Sequence, residues 1–156
     1  MPGVKVFGDP RPKGSLICRG PRTCRKCRTP IVHPVTEDDA GHKAAEWRKR
    51  VETAGLQLRQ ALGGTITAPV AVDATFVVAR PKAAAGRAFP HLRSAGDVDK
   101  LARMLLDALT SCHVIADDSL VVELVARKQY PGAALDRPGV LVIVEPLAAS
   151  DTHLPI

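Results

Sequence analysis

Gly96-Asp97-Val98-Asp99-Lys100-Leu101-Ala102-Arg103-Met104-Leu105-Leu106-Asp107-Ala108-Leu109, followed by Ala116-Asp117-Asp118-Ser119-Leu120, is the stretch around which the chain is organised. Val98, Leu101, Leu105 and Leu109 recur at 3-4-4 spacing and predict one buried stripe on a helix. Asp97 and Asp99 stand at its start, where aspartate serves as an N-cap and meets the positive end of the helix dipole. Asp99, Arg103 and Asp107 fall on another face. Thr110 to Ala116 form a connector, and Asp117-Asp118 then open a strand-like run from Leu120 to Lys128.

A helix of about 12 residues is roughly 18 Å long, and a seven-residue connector reaches roughly 23 Å. The second acidic pair therefore returns beside the first if the connector runs back nearly extended. Carboxylates gathered in one place repel one another, and burying them unpaired is unfavourable. A divalent cation that prefers oxygen ligands, Mg2+ or Mn2+, removes that conflict. A plainer reading makes Asp97 a cap, Asp99 a solvated first-turn residue and Asp117-Asp118 a turn before a strand. Spacing alone leaves both open.

Working outward, the 156 residues suit one domain with a real core. Hydrophobic residues make up 46%, and no apolar run approaches the ~20 residues of a membrane span. No signal-type segment opens the chain, so a soluble cytoplasmic protein without membrane partners is expected. The net charge of +6 is local. Lys5, Arg11, Lys13, Arg19, Arg22, Arg25, Lys26 and Arg28 face only Asp9 among residues 1–36. Such an arm points to a polyanion, foremost nucleic acid, although solvated basic loops are also common. Phe7, Phe76, Phe89, Trp47 and Tyr130 are the only aromatics, too few for a platform that stacks single-stranded bases.

Val4 to Phe7 read as a strand ending at Gly8, and Asp9 to Ser15 as a Pro-punctuated loop whose Arg11 and Lys13 can meet phosphates. Cys18, Cys24, Cys27 and His33 follow within a Cys-rich insertion at 16–35. Four such ligands suffice for a structural Zn2+, though the spacing is not that of a common finger; unligated cysteines are the other reading. Cys112 is a small, semi-buried side chain rather than a nucleophile, because no base accompanies it. Thr36, with Glu37, Asp38 and Asp39 behind it, reads as a helix start. Trp47, Val51, Ala54, Leu58 and Leu62 form the stripe of that helix, and Gly63-Gly64 end it.

Val70, Val72, Ala74, Phe76 and Val78 alternate as a strand before Pro81. Pro81 to Ser94 is loop, flanked and punctuated by Arg80, Lys82, Arg87, His91 and Arg93, cations that suit phosphates drawn past an acidic site. Val140 to Glu145 is the last strand, and the tail from Pro146, residues 151–156 above all, is expected to fray. The pattern predicts a single compact α+β domain over residues 1–150, with a mixed sheet packed against two main helices.

The second half resembles the RusA family of Holliday-junction resolvases, found in bacteria and their phages. The family pattern is D-x-D then N-L, a helix ending in D-A-L, then D-D and a hydrophobic strand. It stands here as Asp97-Val98-Asp99-Lys100-Leu101, Asp107-Ala108-Leu109 and Asp117-Asp118-Ser119-Leu120-Val121-Val122, closed by Arg127-Lys128. Gly8 to Ser15 is similar to the Pro/Lys/Gly loop near the start of many members. The resemblance implies a homodimeric, Mg2+-dependent endonuclease acting on branched DNA, the four-way junction, with each subunit cutting one of two strands of like polarity. By position it implies Asp97, Asp99 and Asp118 as metal-site acids and Asp117 as a contributing or orienting residue. Lys100 replaces the usual Asn, and Arg103 replaces a helix Lys; either can stabilise charge on the reacting phosphate. Arg11, Lys13, Arg87, Arg93 and Lys128 are the expected DNA-backbone contacts. Two other readings predict different outcomes: a non-enzymatic zinc-knuckle nucleic-acid-binding module, or a nuclease for other branched DNA.

Overall fold

The computed structural model describes residues 2–14, 16–17, 22–23, 26–31, 36–37, 41–91 and 95–147. Its centre is a mixed four-stranded sheet with strand order β1-β8-β6-β7. Strand β1 is Gly3–Phe7, β6 is Val70–Val77, β7 is Val121–Gln129 and β8 is Gly139–Pro146. Four two-residue strands, β2 (Leu16–Ile17), β3 (Arg22–Thr23), β4 (Pro30–Ile31) and β5 (Thr36–Glu37), pair as β2 with β5 and β3 with β4. Helix α1 spans Gly41–Ala61 and helix α2 spans Val98–Ser111. This is the α+β class that the periodicities predict.

The alternation Val70, Val72, Ala74, Phe76 places one face of β6 against the helices, and all four are buried. Helix α1 buries Ala44, Trp47, Val51, Gly55 and Leu58, and α2 buries Leu101, Ala102, Met104, Leu105, Ala108 and Leu109. With Val6, Val140, Val142 and Val144 they enclose one continuous core. Val98 departs from the expected stripe: it is exposed at the first turn of α2.

Two helix ends show why the chain turns where it does. After α1, Gly63 at φ +79° lets its N–H reach Gln60 O while Gly64 N–H reaches Arg59 O, a glycine-dependent C-cap. After α2, His113 takes the same left-handed conformation at φ +57°, with Val114 N–H bonded to Leu109 O. The expected helix start at Thr36 is corrected. Thr36 and Glu37 use their backbones to pair with Ile17 and Leu16, and α1 begins at Gly41. Nor does Pro146 fray: it ends β8, and Leu147 N–H donates to Pro69 O. Residues 151–156 lie outside the described residues.

Strands β6 and β7 are parallel, so a crossover must join their opposite ends, and α2 is that crossover. The connector after α2 does not run back along it. Ile115 bridges Ile66, Ile66 N–H donates to Val114 O and Ala116 N–H donates to Ile66 O. Val114 and Ile115 are fully buried, which anchors the connector beside the starts of β6 and β7.

Candidate active site

Asp97 holds the N-cap position of α2 in extended backbone, and its C=O accepts the Leu101 N–H. Its carboxylate makes no cap bond; it lies 3.2 Å from Lys100 Nζ instead. Asp99, in the first turn, is exposed. The turn carrying both acids is fixed from two sides. Lys128 Nζ donates to Gly96 O at 2.5 Å, and Pro12 packs against Gly96, whose φ of +72° suits glycine. Lys13 N–H donates to Lys100 O, and Lys13 Nζ meets Asp107 Oδ2 at 2.7 Å.

Lys13 and Lys128, two of the expected DNA-backbone contacts, thus also tie the protein together. Their ammonium groups reach α2 and the turn before it. Arg11 pairs with Asp9. Arg87 is exposed and donates to His91 Nε2 at 2.6 Å. Arg93 lies outside the described residues. Arg103 is exposed one turn beyond Asp99 on α2, with no ion pair among the described residues.

Asp117 and Asp118 precede β7 in a 3-10 turn. Asp117 accepts the Ser119 N–H at 2.9 Å, and the Ser119 hydroxyl, with that N–H second, holds its carboxyl below the usual carboxylate range. Asp118 is exposed. Asp97 is adjacent to the far end of β7, because Lys128 reaches Gly96 from there. Seven residue steps of strand separate Val121 from Lys128, roughly 23 Å. The gathering of all four acids within one protomer is therefore corrected: α2 holds Asp97 and Asp99 at one end of β7, and Asp117 and Asp118 stand at the other. The burial of Val114 and Ile115 outweighs any return of the connector.

Carboxylate oxygens are the donors that a hard divalent cation takes. Each end of β7 offers two such side chains, and among the described residues no group of three or more His, Cys, Asp or Glu is placed to hold a metal ion. A single protomer thus has the right donor chemistry in two incomplete halves. Of the expected zinc ligands, Cys27 is exposed, while Cys18, Cys24 and His33 lie outside the described residues.

The periodicities gave no sign of two features near the acidic turn. Arg80 stacks 4.0 Å over the Tyr130 ring, and Val78, Ala84 and Tyr130 form a second small core against which Ala95 packs. Phe89 is 74% exposed. No helix among the described residues is long and apolar enough to cross a membrane.

No curated protein matches the chain. The family model described as endodeoxyribonuclease RusA matches residues 35–145, which include α1, β6, β7, all of β8 but its last residue, and both acidic turns. With most of its length matched in this way, the chain belongs to the RusA family of endodeoxyribonucleases.

Proposed function

We propose that two copies of this chain resolve four-way DNA junctions by Mg2+-dependent phosphodiester hydrolysis, each metal site being shared between protomers. RusA resolvases are divalent-metal-dependent endonucleases that act on branched DNA. The observation that carries the shared site is the placement of two half-sites at opposite ends of β7. That strand is a sheet edge, and it exposes Val122 and Leu124. An unpaired apolar edge is a template for another strand. Antiparallel pairing of two β7 edges about a two-fold axis covers those side chains. It also sets Asp97 and Asp99 beside the partner's Asp117 and the partner's Asp118.

Asp97, Asp99 and the partner's Asp118 would hold the cation. The partner's Asp117, engaged with its own turn, orients its neighbour. A bound Mg2+ supplies Lewis acidity: it lowers the pKa of a water ligand and offsets charge on the phosphate under attack. Lys100, next to Asp97, is placed to meet a non-bridging phosphate oxygen, and the planar fork of Arg103 suits a second one. A two-fold dimer presents two such sites, matching the two strands of like polarity in a junction.

The test uses end-labelled four-way junction, splayed duplex and linear duplex, each with and without Mg2+. Symmetric paired cuts in the junction, dependent on Mg2+, are expected. Equal cutting of linear duplex, or no cutting of any DNA, overturns the reading.

A further inference from the structure

The loop between β6 and α2 holds Phe89 out into solvent by a chain of hydrogen bonds. Arg80 Nη1 donates to Arg87 O at 2.6 Å while its guanidinium lies over Tyr130. Arg87 Nη1 donates to His91 Nε2 at 2.6 Å, which leaves His91 Nδ1–H to donate to Phe89 O at 3.0 Å. The His91 N–H also reaches Phe89 O, at 3.1 Å. Every link fixes the tip around residue 89, and none covers the ring. The root of the loop, Ala84, sits in the same small core as Ala95, two residues before Asp97.

The surroundings select the occupant. From Ala74 to Gly96 there is no acidic residue, whereas Arg80, Lys82, Arg87 and Arg93 are basic. Lys82, Arg87 and His91 are exposed in the same loop as Phe89. An exposed aromatic ring among cations matches a nucleobase attached to its phosphates better than an apolar protein surface.

We infer that Phe89 is a stacking wedge, which receives a base unpaired at the branch point of the DNA substrate while the neighbouring cations hold its backbone. The inference rests on the branched-DNA reading above. It adds the element that tells a branch from continuous duplex, since only a branch offers an unstacked base without the penalty of opening the helix.

Phe89→Ala and Phe89→Trp, each in the full-length chain, provide the test, with chelator present so that no strand is cut. Trp47 is buried, so a tryptophan at position 89 is the solvent-facing reporter. Phe89→Ala should weaken junction binding by about tenfold and leave linear-duplex binding unchanged. Phe89→Trp should bind the junction as the native chain does, with its emission quenched by junction and not by linear duplex. Unchanged junction affinity in Phe89→Ala, an equal loss on both DNAs, or unquenched Phe89→Trp emission on bound junction overturns the wedge. Loss of dimer in Phe89→Ala on a sizing column also overturns it, by giving the ring a protein partner. A native chain that binds no junction removes the underlying reading as well, and is recognised because it appears without any substitution.

Discussion

Lys13 Nζ lies 2.7 Å from Asp107 Oδ2, which joins the basic N-terminal loop to the middle of α2. The two side chains are 26% and 24% exposed, so the pair is largely shielded from solvent. Removing one partner leaves the other charge poorly compensated, which costs about 1–3 kcal/mol. Lys13→Met and Asp107→Asn should each lower stability by that order in urea titration, and the double variant by less than the sum. Because the charge is already matched internally, Lys13→Met should leave the salt dependence of DNA binding unchanged.

The shared site makes a specific prediction about mixed dimers. Asp97→Asn and Asp118→Asn homodimers should each cut junctions at least about a thousandfold more slowly, while still binding them. Mixing the two inactive proteins generates heterodimers in which one site carries both substitutions and the other carries neither. Nicking of one junction strand should then return. Continued inactivity after verified subunit exchange would place the site within one protomer.

The open edge of β7 gives a test of assembly that does not involve chemistry. Val122 is 63% exposed and Leu124 is 43% exposed. Leu124→Lys puts a charge on the edge, a device that discourages strand pairing. Sedimentation should show a monomer that retains native circular dichroism and no longer cuts. A dimeric Leu124→Lys protein would move the interface elsewhere.

Cys112 offers a pH-dependent reading. Burial pushes its thiol above the ordinary value of 9.0, so the native state keeps it protonated. A pKa raised by folding contributes stability that is complete below the unfolded value and declines as pH rises through the folded one. Unfolding free energy should therefore fall from about pH 9 upward, less so in Cys112→Ala. Peptide-resolved alkylation at neutral pH should label the exposed Cys27 well before Cys112.

Much of the architecture could be read from periodicity. The Trp47–Val51–Leu58 stripe, the Leu101–Leu105–Leu109 stripe and the alternation along β6 all reflect burial against one sheet face, and burial is what periodicity records. The acids were harder to place. Their spacing allowed the connector to return, and the signal against it was the adjacent apolar pair Val114-Ile115, whose burial fixes the connector at the starts of β6 and β7. The internal partners of Lys13 and Lys128 were not legible, because an isolated lysine carries no mark of its partner. Asp107 and the Gly96 carbonyl, distant in sequence, claim them. The wedge loop was legible only as a basic segment, since its form depends on side-chain bonds to backbone carbonyls.

Where α1 crosses the end of α2, Gly55 leaves no room for a methyl group: a Cβ there would collide with Cys112 Sγ. The two positions therefore divide a fixed volume between them. Evolutionary drift at this crossing has to be reciprocal, with bulk gained at 55 matched by bulk surrendered at 112. Among descendants of this sequence, alanine at 55 should travel with glycine or alanine at 112, and a lone enlargement at either place should be purged although both positions are buried between the helices.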